Sequence, residues 1–319
     1  MTDATSQRYN TARLEADADG ISRAAEILLA GETVAFPTET VYGLGADATQ
    51  PQAVARIFEA KNRPSFNPLI VHVPDLEAAS RWVDLPDWAE ALATAFWPGA
   101  LTLALPKKTA LPDIVTAGHD TLAIRIPATQ VAQQLLRAVG RPVAAPSANP
   151  SGRVSPTTAD HVLDGLEGRI AAVLDDGRCA VGVESTIIGG PEPTLLRPGG
   201  VAVEAIEQVL GRSIARQART DDAAPLVPGQ LTSHYAPDAP VRLNATKARP
   251  GEILLGFGAI AGERTLSASG DLVEAAATLF ALLRELDGVG KPIAVAPIPL
   301  DGLGAAINDR LQRAAAPRG

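Results

Sequence analysis

The chain has 319 residues, long enough for two domains, with 46% hydrophobic and only 4% aromatic residues; its core therefore rests on Ala, Val, Leu and Ile. Its 28 basic and 36 acidic residues leave a net charge of -8, which favours solubility and argues against a broad electrostatic footprint on nucleic acid. No run approaches the ~20 apolar residues of a membrane span, and the polar stretch Met1 to Arg13 lacks a secretory apolar run. The lone Cys179 excludes an internal disulfide and a thiolate zinc cluster, so a cytoplasmic protein is expected.

Ile21, Ala24, Ala25 and Leu28 recur at helical spacing, with Gly31 as the expected stop. Thr33 to Phe36 reads as a short buried strand ended by Pro37, and a second helix starts at Pro51 and runs out near Lys61. Strands are expected at 69–73, 101–105, 122–126 and 143–145, and helices at 87–96, 131–139 and 203–210. This mixture predicts an α/β (α+β mixed) unit over residues 1–211. Residues 212–240 are rich in proline and read as a linker. The last unit, 241–319, has strands at 252–255 and 293–296, an amphipathic helix through Leu272, Leu279 and Leu286, and a final helix over 305–315.

Chemistry-bearing residues gather where strands end. Pro37-Thr38-Glu39-Thr40 places hydroxyls and a carboxylate after the first strand, and Tyr42, Gly43 and Gly45 follow. The glycines read as loop punctuation that lets a backbone approach a ligand, or as a simple turn. Lys61 and Arg63, before the Asn67-Pro68 turn, suit a polyphosphate, since Arg binds phosphate in a bidentate manner and Lys as a point charge. His72 falls in the apolar run 69–73, where a core histidine is the commoner role. Arg125 stands between isoleucines, which requires either a structural ion pair or a ligand carboxylate. Pro146 to Gly152 offers hydroxyls and an amide, and ordinary turn chemistry explains the same residues. Glu184-Ser185-Thr186 and Leu196-Arg197-Pro198-Gly199 repeat the pattern of a polar group at a strand edge.

Two glycine-rich segments fail as nucleotide fingerprints. Gly256 to Gly262 follows a strand but no helix opens after it, and Gly290-Lys291-Pro292 lacks the rest of a Walker A loop. The four histidines show no zinc-ligand spacing.

Taken together, PTETVYGLG (37–45), KNRPSFNPLIVHV (61–73), AIRIP (123–127), PSANPSG (146–152), EST (184–186), LRPG (196–199), PGQLTSHYAP (228–237) and GLGAAINDRLQRAA (302–315) resemble the threonylcarbamoyl-AMP synthases. The resemblance implies a YrdC-like twisted open-sheet catalytic domain, a linker acting as a lid, and a smaller Rossmann-like α/β domain. It implies ATP-dependent synthesis of L-threonylcarbamoyladenylate from L-threonine and bicarbonate with release of pyrophosphate, a nucleotidyltransferase reaction using Mg2+ with ATP. The product would serve a downstream tRNA threonylcarbamoyl transferase, with strong direct tRNA binding not expected.

By the same resemblance Lys61 and Arg63 are the catalytic cations that hold the triphosphate. Arg125 would pair with the threonine carboxylate, with Thr40, His72 and Ser185 orienting the threonine and Thr38 and Tyr42 beside them. Asn67, Thr121, Ser147, Asn149, Ser155, Arg197, His234 and Tyr235 would surround the nucleotide. No protein-held metal site is expected. Two rivals remain at this point. One is an RNA-binding or ribosome-associated protein on the same fold; the other is a carbamoyl-transfer enzyme of hydrogenase maturation, which would need zinc-binding cysteines that a single Cys does not supply.

Overall fold

A computed structural model of the chain describes residues 9–217, 225–230 and 234–317. The first unit begins with β1 (Ala12–Glu15), α1 (Ala18–Leu29), β2 (Val34–Phe36), β3 (Gly43–Asp47), α2 (Pro51–Lys61) and β4 (Ile70–His72). It continues with α3 (Leu76–Ser80), α4 (Asp87–Phe96), β5 (Leu101–Pro106), α5 (Asp113–Thr116), β6 (Thr121–Arg125) and α6 (Gln130–Val139). Then come β7 (Val143–Ala144), α7 (Ala159–Leu166), β8 (Ala172–Asp175), β9 (Thr186–Gly189), β10 (Thr194–Arg197), α8 (Val203–Leu210) and β11 (Ala215–Arg216). The second unit comprises β12 (Val241–Arg242), β13 (Ile253–Gly256), β14 (Arg264–Thr265), α9 (Leu272–Asp287), β15 (Ile293–Val295) and α10 (Leu303–Ala314).

The strands of the first unit form one 11-stranded mixed sheet in the order β1-β8-β2-β3-β7-β4-β6-β5-β9-β10-β11. The second unit has a 4-stranded sheet, β12-β15-β13-β14, whose pairs are all parallel. The α/β expectation is met in both. Helices α1 and α6 cover one face of the large sheet, packing Leu28, Leu135 and Leu136 against Phe36, Val143 and Leu174. The larger core on the opposite face joins Val54 and Ile57 of α2, Leu92 of α4 and Ile206 of α8 to Leu44, Val71, Leu103 and Ile124.

Local chemistry explains most boundaries. Asp17 caps α1 by accepting from the Gly20 N–H at 2.8 Å, and Pro51 opens α2 with the fixed φ that suits a first turn. Asn62 closes α2 in the left-handed region at φ 51°, where Asn is tolerated. Asp271 caps α9 by accepting from the N–H groups of Val273 and Glu274.

The structure corrects three expectations. The polar start contains a strand, β1, which pairs in parallel with β8 at the sheet edge. Its side chains are largely exposed, so no buried apolar signal marks it. The glycines at 43 and 45 are not loop punctuation but lie within β3, antiparallel to β2. A Cβ at Gly45 would stand 2.9 Å from the Phe36 ring, so glycine is needed there for close approach and not for a turn. The span 212–240 is not wholly a linker: β11 within it pairs with β10. Its parts 218–224 and 231–233 lie outside the described residues.

Candidate active site

One cavity draws together the ends of six strands. The loop after β2 brings Thr38 and Thr40, β4 brings His72 and β6 brings Arg125. The segment after β7 contributes Ser147, the residue before β9 is Ser185, and β10 ends on Arg197. Arg63 reaches in from beyond α2, and Pro228, Gly229, His234 and Tyr235 lie on its far wall. The space between these atoms, open solvent at the mouth included, is about 520 Å³. Convergence of loops at strand ends is where α/β sheets bind ligands.

Arg125 makes the structural ion pair that the sequence called for. Its Nη2 donates to Glu39 Oε1 in a partly buried ion pair, its Nη1 to Thr40 Oγ1 at 2.9 Å, and its Nε to the Gly99 carbonyl at 3.1 Å. Glu39, itself only partly buried, is thus the acid that makes an arginine tolerable in this strand, while Arg125 still faces the cavity. Thr38 and Thr40 share a hydroxyl contact at 2.8 Å, and Thr38 Oγ1 also donates to the Val41 carbonyl at 2.6 Å. The loop is therefore a closed turn, held by its own side chains, that aims the Thr40 hydroxyl towards Arg125.

Lys61 and Arg63 are buried cations whose hydrogen-bond partners are all carbonyls. The Lys61 ammonium donates to the carbonyls of Ser147 and Asn149, and Arg63 donates to those of Asn67 and Pro68. Burial, with Arg63 nearby, pushes Lys61 well below its ordinary pKa. Burial alone is the main cause that lowers Arg63 to about 10. Among the described residues neither has a carboxylate in salt-bridge range. Arg197 likewise donates to the carbonyls of Ser185 and Pro228, the latter at 2.9 Å. Three buried cations with no carboxylate in salt-bridge range among the described residues are costly in a folded protein unless an anion completes them.

His72 is buried, edge-on to Phe36 with ring centroids 6.0 Å apart. Burial and the charge of Arg125 lower its pKa to about 3, so it is a neutral ring with an unpartnered Nδ1. Ser185 shares a 2.7 Å contact with Thr102 Oγ1. His234 packs edge-on to Tyr235 at 4.1 Å and is also kept neutral, by burial and then by Arg63 and Lys61. Tyr235 takes the left-handed φ of 59°, a strained conformation for a bulky residue. Gly229 lies beneath it at φ 83°, where a Cβ would come within 2.6 Å of the Tyr235 hydroxyl.

Ten of the residues expected at the site line the cavity: Thr38, Thr40, Arg63, His72, Arg125, Ser147, Ser185, Arg197, His234 and Tyr235. Lys61 and Asn149 stand behind its wall, joined through the 147–149 backbone. Asn67 is behind Arg63, with both amide atoms buried and unpartnered. Tyr42 does not face the cavity: its hydroxyl donates to the Gly177 carbonyl at 2.8 Å, bracing β3 on the loop after β8. Ser155 donates instead to Glu184. Thr121 opens β6 as an exposed residue paired with Pro106, away from the lining. Glu39 and Glu184 were missed as site residues, although both sit inside the segments singled out for their neighbours. Gly229 was missed because nothing marks a glycine's φ in the sequence.

Among the described residues the cavity wall carries a single carboxylate, Glu184, which is already bonded to Ser155 and Arg310. Among the described residues no three His, Cys, Asp or Glu converge on one point to hold a metal. No described helix is long and apolar enough to cross a membrane.

Two family models match the chain: one described as "Telomere recombination" over residues 26–199, and "Threonylcarbamoyl-AMP synthase, C-terminal domain" over 201–316. The threonylcarbamoyl-AMP synthase of Pyrococcus abyssi is 41% identical over 315 residues, covering 91% of this chain and 92% of the relative. That of Bacillus subtilis is 50% identical over 231 residues, or 70% of this chain and 66% of the relative. The crystal structure of P. abyssi Sua5 complexed with L-threonine superposes with a TM-score of 0.87 at 39% identity, covering 96% of this chain and 97% of that one.

Proposed function

The chain belongs to the threonylcarbamoyl-AMP synthase family, and from that premise we propose how its cavity performs the synthesis. The protein is an enzyme that makes threonylcarbamoyl-AMP, with L-threonine as a substrate. In our reading the other substrates are bicarbonate and ATP, which makes the enzyme a nucleotidyltransferase. The threonine amine joins the carbon of bicarbonate with loss of water, giving an N-carboxylate. One oxygen of that carboxylate attacks the α-phosphorus of ATP, and pyrophosphate leaves from the opposite side.

The observation that carries this reading is the division of charge within one cavity. Arg125, paired with Glu39 and bonded to Thr40, offers a site for a single carboxylate beside hydroxyls. Threonine presents such a group, with Thr40, Ser185 and the neutral His72 ring to orient its amine and side chain. Arg63 and Arg197, with no carboxylate in salt-bridge range among the described residues, suit the triphosphate, where charge builds on the departing pyrophosphate. Lys61 acts in this reading by holding the Ser147 and Asn149 carbonyls and by adding positive potential, not by direct contact. The unpartnered Asn67 amide and the unpartnered Asn149 Oδ1 supply hydrogen bonds next to these cations. His234 and Tyr235 cover the cavity, and excluding water protects a labile carbamate and adenylate.

With one carboxylate on the wall and that one engaged, Mg2+ fits as part of the Mg–ATP substrate, carried by the phosphates. Catalysis then rests on positioning and electrostatics. The product, a mixed anhydride, is an activated acyl group, and we assign it to threonylcarbamoyl transfer onto tRNA adenosine by a separate transferase.

The test is incubation with ATP, Mg2+, bicarbonate and each amino acid in turn, followed by mass spectrometry of the adenylated products. A threonine-dependent adduct that carries label from 13C-bicarbonate is the expected result. Its absence, together with tight RNA binding, would overturn the reading in favour of an RNA-binding protein.

A further inference from the structure

The terminal motif at 302–315 forms α10, and its Arg310 is a fully buried arginine that reaches out of the second unit into the first. Its Nε donates to Glu184 Oε2 at 2.8 Å, and its Nη1 donates to the Pro198 carbonyl at 3.0 Å. Asp309 takes a further bond from the same Nη1 at 2.7 Å, and the guanidinium lies 5.1 Å from the centre of the Tyr235 ring. Glu184 immediately precedes Ser185, and Pro198 immediately follows Arg197. One side chain of the second unit therefore grips the neighbours of two cavity residues and the face of a third.

We propose that Arg310 is a positioning residue for the synthesis, setting the places of Ser185, Arg197 and Tyr235 from behind the cavity wall. The proposal rests on the function assigned above. Glu184 is the central contact. Its other oxygen accepts from Ser155, and its backbone carbonyl accepts from the Gly200 N–H at 2.9 Å. Both carboxylate oxygens are thus engaged and the peptide is fixed on each side. Burial raises the Glu184 pKa, but Arg310 and then Arg197 outweigh it and the carboxyl stays below its ordinary range. A carboxylate so held is a poor proton acceptor, which makes Glu184 a strut and not the missing general base. Tyr235 is clasped in the same way, stacked on Phe280 of α9 at 5.6 Å on one side and met by Arg310. That clasp holds a strained backbone conformation that local sequence would not keep. An arginine suits the position because its planar fork reaches several acceptors at once and its face meets an aromatic ring.

The experiment compares Arg310→Met, Arg310→Lys and the double variant Glu184→Gln with Arg310→Met, in the full chain. For each, kcat and the KM values for threonine and ATP are measured alongside thermal melting and hydrogen exchange of segments 183–186 and 234–236. Arg310→Met is expected to lower kcat/KM by roughly 10- to 100-fold through misplacement, mainly by raising both KM values, with faster exchange in both segments. Arg310→Lys keeps the charge and is expected to recover part of the loss. The double variant removes both members of the Arg310–Glu184 pair, so Glu184 is not left as a charge without its arginine; it is expected to fold even where Arg310→Met does not, and its KM values are expected to stay raised. Wild-type KM values and exchange in folded variants, with only a lower melting temperature, would overturn the proposal. A double variant with fully restored KM values would do the same, since charge balance alone would then explain the arginine. Should the wild-type chain yield no adduct, the assigned function fails, while the exchange measurements still decide whether Arg310 fixes the two segments.

Discussion

The wall of the cavity and the body of the second unit handle cations in opposite ways. In the first unit Lys61, Arg63, Arg125 and Arg197 are all buried, and among them only Arg125 has a direct carboxylate partner. In the second unit Arg242 pairs with Glu252 and Arg264 with Glu285 at the surface, and the one buried cation among its described residues, Arg310, has two acids. A domain built only for stability follows the second pattern, since an unpaired buried charge opposes folding. The first pattern persists where anionic substrates supply the missing charge.

The sharpest way to break that comparison is to remove one cation of each kind from the cavity. Arg125→Ala leaves the partly buried Glu39 with only its bond from the Ala128 N–H, a cost below the ~3–5 kcal/mol of breaking a fully buried pair. We expect a fall in melting temperature together with a raised threonine KM. Arg63→Ala removes a charge that has only carbonyl partners, so its stability cost should stay below ~2 kcal/mol while ATP KM rises more than ~10-fold. Calorimetry and steady-state kinetics on both variants decide the matter; equal destabilisation would show that the two cations are not of different kinds.

His72 sharpens the same contrast through pH. Its folded pKa of about 3 lies below the ordinary 6.5, so the unfolded chain takes up the proton first. The stability it contributes is complete above pH ~6.5 and declines as pH falls towards ~3, by at most ~1.4 kcal/mol per pH unit. Denaturant unfolding at stepped pH should show this slope, and His72→Gln should flatten it. A ring that protonates near pH 6 by NMR would contradict the buried, neutral assignment.

The smallest effect is expected at the surface of the second unit. The Glu252 carboxyl is lowered from 4.5 to about 2, chiefly by its hydrogen bond to Arg242. Its contribution is present above 4.5 and is lost as pH falls from there to 2. Arg242→Ala should therefore lower stability slightly above pH 4.5, flatten its loss between 4.5 and 2, and leave kcat and both KM values unchanged. Any change in threonine KM would mean that surface pairs of this unit reach the cavity.

The sequence by itself determined the periodic elements, because amphipathic spacing and caps act over one or two turns. α2, α4, α8 and α9 begin within a residue or so of where Pro51, Asp87, Val203 and Leu272 place them. It also determined which residue types were out of place, above all Arg125 in an apolar strand, and which loops carried polar groups. Only the tertiary structure decided what those residues do, since their partners are remote in sequence. Glu39 meets Arg125 across 86 positions, Lys61 meets the Asn149 carbonyl across 88, and Arg310 meets Glu184 across 126. For the same reason Tyr42 and Thr121, plausible by position, turn away from the cavity. The glycines of β3 read as a turn until the Phe36 ring is seen against them. A hydrophobic pattern reports which face of an element is buried, but a buried charge reports only that a partner exists; which partner is settled when the chain closes on itself.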